Sequence, residues 1–329
     1  MRAVVLESYG GPEVLTIREV PDPVPGPEEV LVDVVATALN RADLNQRRGR
    51  YPGPPMAQEI PGMEFSGRVA AVGERVGAWA VGDEVMAIVG GGAYAERVVV
   101  HERQAMPLPA SVDLPDGAAI PEVWITAWDA LVLQGGLRSG QVALVHAGAS
   151  GVGTAGIQLA KAIGARVAVT CSGPKVGACE ALGADLVVDY GRDDFVAAVK
   201  DLTRGAGVDV VLDVVGGDYL ARNLEALRTG GRIVQVGLLA GPEATFVLGA
   251  LLPKRAALIG TVLRSRPLEE KITVSQRFAR EVVPLFDTGR CRPVIDRRFA
   301  LDEIADAHRY METNANVGKI LIDVPGPPA

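Results

Sequence analysis

Val142-Ala-Leu-Val-His-Ala-Gly-Ala-Ser-Gly-Val-Gly-Thr-Ala-Gly156 decides the fold. An apolar run enters a glycine cluster, and the small-residue helical pattern Ile157, Leu159, Ala160, Ile163 follows. This is the strand, tight turn and helix start of a dinucleotide-binding fold. Glycine lets the backbone turn and approach a pyrophosphate without a Cβ in the way. The free N–H groups at the helix start then hold the phosphate charge. Two registers are open. Gly151-Val-Gly-Thr-Ala-Gly156 is a literal G-x-G-x-x-G; Gly148-Ala-Ser-Gly-Val-Gly153 has serine in the middle but begins directly after the strand. The second is preferred, with Gly156 one turn into the helix and allowing close helix–strand packing. A glycine-rich turn without a ligand is the bland alternative.

Alternating elements follow. Arg166–Thr170, Leu186–Asp189, Val208–Val214 and Arg232–Val236 read as strands, and Pro174–Leu182 and Phe195–Leu202 as helices. Short apolar runs separated by helices predict an α/β fold, a doubly wound parallel sheet covered on both faces. The region after the second strand, Val169-Thr-Cys-Ser-Gly-Pro-Lys175, contains no acid. NAD-binding folds place Asp or Glu there for the ribose 2′-hydroxyl. Ser172 and Lys175 suit a 2′-phosphate instead, so NADPH is favoured, with Tyr190 a further cover for that phosphate; a solvated helix-start lysine is the other reading of Lys175.

The first 118 residues are all-β in character. Short strands (Val4–Leu6, Val30–Val35, Arg68–Val72, Glu84–Ile88, Glu96–Val100) are divided by Pro and Gly, and a helix is predicted over Asn40–Arg48. Helix signals at Asp116–Leu133 lead into the nucleotide fold, so the domain boundary is placed near residue 119. After about residue 266 the alternation stops. Amphipathic helices are predicted near Pro267–Phe286 and Leu301–Glu312, with a last strand at Gly318–Asp323 and a frayed tail at Pro325–Ala329. The expected domains are 119–266 for the cofactor, and 1–118 with 267–329 for the remainder.

At 329 residues the chain has length for two cores. It carries 33 basic against 40 acidic residues and no basic run, so nucleic acid and anionic membrane are poor partners. Cys171, Cys179 and Cys291 are too few and scattered for a disulfide framework or a four-cysteine zinc lobe. That suits a reducing cytoplasm. The chain starts as a strand without signal-peptide regions, and no apolar run reaches the length of a membrane span.

Asn40–Tyr51, Pro61–Gly67, Ala119–Trp128, Val145–Lys161, Leu263–Arg266 and Ala307–Glu312 together resemble the medium-chain dehydrogenase/reductase superfamily, in its zinc-free, zeta-crystallin-like quinone oxidoreductase branch. The resemblance implies a GroES-like β-rich catalytic domain plus a Rossmann domain, a cleft between them, and a homodimer joined through Rossmann edge strands near Ala257–Val262. Position by position, it implies that Ser150, Gly151 and Val152 bind pyrophosphate and that Ser172, Lys175 and Tyr190 hold the adenosine phosphate. Val214, Gly237 and Leu238 would line the nicotinamide ribose, Leu263 and Ser265 the carboxamide, and Asn316 would close the cleft.

Zinc-dependent relatives take ligands from a cysteine matching residue 40 and a histidine matching residue 63. This chain has Asn40 and Met63, which offer no thiolate or imidazole, and His101, His146 and His308 lie in unrelated segments. No metal is expected, and without a Lewis acid ordinary alcohol oxidation is disfavoured. A quinone is already electrophilic and gains aromaticity on reduction. Tyr51 is the candidate for its flat slot, against the reading of a loop tyrosine packed on Pro52, Pro54 and Pro55. Asn40 is a candidate for positioning a substrate oxygen or ribose, against a helix cap. Asp43 is read as serving that helix's first turn, Thr126 as touching the nicotinamide end, and Trp128 as core. The expected activity is NADPH-dependent reduction of a quinone or other electrophilic carbonyl. The alternatives are an enone, 2-alkenal or enoyl reductase, and a catalytically vestigial NADPH-binding or structural protein.

Overall fold

The computed structural model describes residues 1–326. Of the tail Pro325–Ala329 expected to fray, residues 327–329 lie outside the described residues. The chain divides into two compact units, Thr126–Leu263 on one hand and Met1–Ile125 with Arg264–Ala329 on the other.

The Thr126–Leu263 unit is built on a six-stranded parallel sheet. In chain order its strands are Val142–Val145, Arg166–Cys171, Leu186–Asp189, Val208–Asp213, Leu227–Gln235 and Ala257–Gly260. In space they run third, second, first, fourth, fifth, sixth. This is the doubly wound dinucleotide-binding order, with its switch between the first and fourth strands, and crevices for ligands open at carboxyl ends there. The first strand is buried throughout and the fourth nearly so, which is why both read as unbroken apolar runs.

The helix Tyr219–Ala226 has no counterpart among the sequence expectations. Of its residues only Leu220, Asn223, Leu224 and Ala226 are buried, and one of those four is polar, so its apolar stripe is thin. Before it, Gly216 and Gly217 hold φ of 69° and 56°, which reads as a loop. The fifth strand begins five positions before the expected Arg232, at Leu227, because Thr229-Gly-Gly231 imitates a turn.

The other unit carries a seven-stranded sheet. Its path runs Ile295–Ala300, Lys319–Asp323, Glu29–Ala38, Glu64–Val72, Glu84–Ile88, Met106–Pro107, with Arg97–His101 also paired to Glu29–Ala38. Only the first pair on that path is parallel. A hairpin of Arg2–Leu6 and Leu15–Glu19 packs into the same core. The GroES-like sheet and the Rossmann sheet together make the α/β architecture. The expected helix Pro267–Phe286 is two helices, Leu268–Glu281 and Val283–Asp287. Pro284 lacks the N–H that continuation requires, and its ring crowds the carbonyl four residues back.

Candidate functional site

The loop after the first Rossmann strand is shaped by backbone. Ala147 sits at φ 55°, a left-handed conformation that costs a non-glycine residue about 1 kcal/mol. Gly148 donates its N–H to Thr170 O at 2.8 Å, which ties the turn to the second strand. A Cβ on Gly148 would stand 2.7 Å from the Val169 Cβ, and one on Gly153 would collide with the Ala147 carbonyl oxygen. Ser150 caps the helix Gly151–Ala162, its hydroxyl accepting from Gly153 N at 3.0 Å. The amides of Gly151 and Val152 therefore lie in a first turn, where N–H groups have no intrahelical acceptor. A capped helix start behind two glycines that tolerate no Cβ fits a pyrophosphate. Gly156 packs toward the first strand as expected, and a Cβ there would meet the Val145 methyls at 3.5 Å, an ordinary contact that leaves room for alanine.

Beneath this loop lies a polar network that the sequence reading passed over. His146 is wholly buried. Its Nδ1 lies 3.0 Å from Thr170 Oγ1 and its Nε2 2.6 Å from Asn223 Oδ1. Asn223 donates from Nδ2 to Asp213 Oδ2 at 2.8 Å. Asp213 Oδ1 in turn accepts from Val215 N at 2.6 Å and Gly216 N at 3.0 Å. With Asn223 donating to Asp213, its Oδ1 is left to accept, so the network assigns the proton to His146 Nε2 and a neutral ring. Burial pushes the His146 pKa down, in agreement. Phe195 and Tyr219 meet the imidazole edge-on at 5.0 and 4.9 Å. The network joins the ends of the first, second and fourth strands, where the cofactor candidates sit. The available signal was a histidine directly after a buried strand and an inward asparagine.

The remaining candidates of this unit also gather at carboxyl ends of strands. Ser172 and Lys175 follow the second strand, and Tyr190, 56% exposed, follows the third. Val214 follows the fourth; Gly237 and Leu238 lie just past the fifth. A Cβ on Gly237 would approach Val214 O to 3.0 Å, so the fourth and fifth strand ends close on each other. Leu263 is buried three positions beyond the sixth strand. Thr126 lies in the helix Pro121–Trp128, and Trp128 is core.

Asn40, Tyr51, Ser265 and Asn316 belong to the other unit. There the last strand lays Ile320 against Leu39, so Lys319 reaches a buried cluster: its ammonium donates at 2.7 Å to Leu39 O, Asn40 Oδ1 and Glu64 Oε1. Glu64 and Lys319 are 0% and 3% exposed. The Asn40 amide is thus engaged at both ends, its Nδ2 donating to Glu64 Oε1 at 2.8 Å. The second Glu64 oxygen accepts from Glu122 N at 2.7 Å. Asp43 accepts from Asn40 N at 2.8 Å, serving the helix Arg41–Arg47 as the sequence suggested. Its Oδ2 also accepts from Tyr94 Oη at 2.9 Å, while its Oδ1 is buried without a partner. Burial raises the Asp43 pKa to about 6 against these hydrogen bonds. Nearby, His308 is buried with Nε2 unpartnered, and burial and the Arg47 charge lower its pKa to about 3.

Tyr51 is half-buried, with the Arg264 guanidinium 4.9 Å from its ring centroid. Arg264 also donates to Gly90 O and Gln46 Oε1, both at 2.6 Å, which fixes the cation over the ring. The sequence reading named its neighbours Leu263 and Ser265 and missed Arg264 itself. Ser265 is exposed; Asn316 is buried and donates to Gly318 O at 2.9 Å.

Residues 26–110 match the alcohol dehydrogenase GroES-like domain family, and residues 182–322 match the zinc-binding dehydrogenase family. The chain is 34% identical over 330 residues to quinone oxidoreductase of Pseudomonas aeruginosa, covering 98% of this chain and 99% of that one. The chain belongs to the medium-chain dehydrogenase/reductase superfamily. It is also 33% identical over 346 residues to the synaptic vesicle membrane protein VAT-1 homolog of Rattus norvegicus, covering 99% and 85% of the two chains. The Escherichia coli quinone oxidoreductase complexed with NADPH superposes with a TM-score of 0.88 at 29% identity, covering 98% of this chain and all of that one. The JamJ enoyl reductase superposes at 0.87 and 26% identity, covering 98% and 99%. These relatives make the protein an oxidoreductase of that superfamily using a nicotinamide cofactor.

The residues present do not fit the zinc that one matched family's description implies. Asn40 is held by Lys319 and Glu64, and Met63 is a buried thioether. Among the described residues no group of three or more His, Cys, Asp or Glu side chains could hold a metal ion.

Proposed function

We propose that this protein is an NADPH-dependent quinone oxidoreductase that works without zinc. The observation that carries the reading is the capped Ser150 loop at the switch of a 3-2-1-4-5-6 sheet, in a chain about one-third identical to quinone oxidoreductases. The bound nicotinamide supplies the hydride. Ser150, Gly151 and Val152 hold the pyrophosphate, and Ser172, Lys175 and Tyr190 the adenosine phosphate. Thr126, Val214, Gly237, Leu238 and Leu263 line the nicotinamide end. Tyr51, stiffened by Arg264, offers a flat face to a quinone ring, and Asn40, held in the Lys319–Glu64 frame, is the proposed contact to a substrate oxygen or the ribose. A quinone becomes aromatic on reduction, so its product oxygens need little help from an acid.

The similarity to an enoyl reductase favours a second reading, NADPH-dependent reduction of enones, 2-alkenals or enoyl groups. That chemistry needs a proton delivered to carbon, and Tyr51 is the acid at hand. Measuring kcat/KM on a quinone panel and an enone panel separates the two. A preference for quinones by ten-fold or more supports the first reading and the reverse supports the second. Tight NADPH binding with neither activity supports a vestigial or structural protein.

Among the described residues the strand Ala257–Gly260 ends the Rossmann sheet and pairs on one side only, with Leu258 and Val262 each 45% exposed. We propose that a second copy covers this edge. Light scattering should then give a dimer for the native chain and a monomer for Leu258→Lys. Among the described residues no helix is long and apolar enough to cross a membrane. Three buried free cysteines suit a reducing compartment, so the cytoplasm is the proposed location.

A further inference from the structure

The acid absent from the second strand is present one strand over. Asp189 ends the third strand, and its Cα pairs in register with Cys171, the residue before Ser172. Tyr190 N donates to Cys171 O at 3.1 Å, so the two strand ends are hydrogen-bonded at this point. A Cβ on Gly173 would stand 2.6 Å from Asp189 Oδ2. One oxygen of the carboxylate therefore faces the turn Gly173–Lys175 that carries the proposed phosphate contacts. The other accepts from Gly191 N at 3.0 Å. The Cys171 thiol feels both charges: after burial and a Cys179 contact, Asp189 raises its pKa and Lys175 lowers it.

We propose that Asp189 sets cofactor preference, opposing Lys175 at the ribose 2′ position, so that the site takes NADH as well as NADPH. The inference rests on the reading of Ser172 and Lys175 as contacts to the adenosine phosphate. A carboxylate accepts a hydrogen bond from a ribose 2′-hydroxyl and repels a 2′-phosphate; an ammonium does the reverse. Both reach the same strand-end crevice, one from the second strand's loop and one from the third strand. The acid escapes a sequence scan because it lies about twice as far past the first glycine as the usual position about 20 residues on.

The test is a fluorescence titration of the whole protein with NADPH and with NADH, which needs no acceptor substrate. Asp189→Asn keeps an oxygen for Gly191 N and removes the charge, and Asp189→Ser is the second variant. Both should move the NADPH-to-NADH affinity ratio toward NADPH by about ten-fold, the scale of one charge interaction near a protein surface. Lys175→Glu should move it toward NADH. A ratio unchanged within about two-fold in both Asp189 variants, while Lys175→Glu still shifts it, overturns the Asp189 inference alone. Unchanged ratios in all three overturn the phosphate-site reading as well. Failure of the native chain to bind either nucleotide overturns both.

Discussion

The two units each bury a polar cluster, and the clusters are built on opposite principles. In the Rossmann unit, His146, Thr170, Asn223 and Asp213 form a chain of hydrogen bonds around a neutral imidazole, closed by backbone amides. In the GroES-like unit, Lys319 and Glu64 form an ion pair at 2.7 Å with both partners essentially inaccessible, and burial forces Asp43 and His308 of the same unit toward neutrality. A hydrogen-bonded network whose one acidic side chain is met by three donors loses one bond at a time. Buried charges fail all at once, because an uncompensated charge has no water to turn to.

The largest effect should come from breaking the ion pair. Lys319→Met leaves Glu64 buried and unpaired, and is expected to cost about 3–5 kcal/mol in denaturant unfolding. Adding Glu64→Gln should recover a large part of it. A single variant with a near-native midpoint would mean that water reaches Glu64.

Acid titration sharpens the contrast within that unit. His308 is neutral in the folded protein down to about pH 3, whereas the unfolded chain protonates it below about 6.5. Stability is therefore lost as pH falls through that window. Asp43 works oppositely: its folded pKa of about 6 exceeds the ordinary 3.8, so its stability contribution is lost as pH rises between them. Across pH 4 to 6 the two largely offset. Asp43→Asn should steepen the acid-side loss, and His308→Gln should reverse the slope. Parallel stability curves for the two variants would remove both groups from the account.

In the Rossmann unit's network, His146→Leu strands Asn223 Oδ1 and the Thr170 hydroxyl. It is expected to cost about 1–3 kcal/mol and to loosen nucleotide binding through the strand ends. The smallest effect on stability belongs to the loop glycines, read as a pair that differs in cofactor binding. Gly156→Ala has room and should gain up to about 1 kcal/mol of helix stability with cofactor affinity unchanged. Gly153→Ala meets the Ala147 carbonyl and should abolish cofactor binding. Equal affinities for the two variants would show that the loop does not hold the pyrophosphate.

The same contrast explains what was legible in the sequence. The Rossmann loop is made by consecutive residues, and its strands are apolar runs. Gly148–Gly153, Leu186–Asp189 and Phe195–Leu202 were readable because local pattern and tertiary role coincide. The Lys319–Glu64–Asn40 cluster joins residues separated by up to 279 positions, and no local spacing marks it. Asn40 and Met63 were seen as positions where a metal ligand is missing, but not the ammonium bound beside Asn40. Arg264 was hidden for the same reason, since its partners Gln46, Tyr51 and Gly90 are far away in the chain. The split of Pro267–Phe286 was locally encoded, by Pro284, and was overlooked.

The most direct measurement is NADPH oxidation by the metal-stripped protein with 9,10-phenanthrenequinone, followed at the nicotinamide absorbance band in the presence of a chelator. Rapid turnover, unaffected by the chelator and by added zinc, is the expected result. Turnover that appears only when zinc is restored, or none at all while NADPH binds tightly, would contradict zinc-independent quinone reduction.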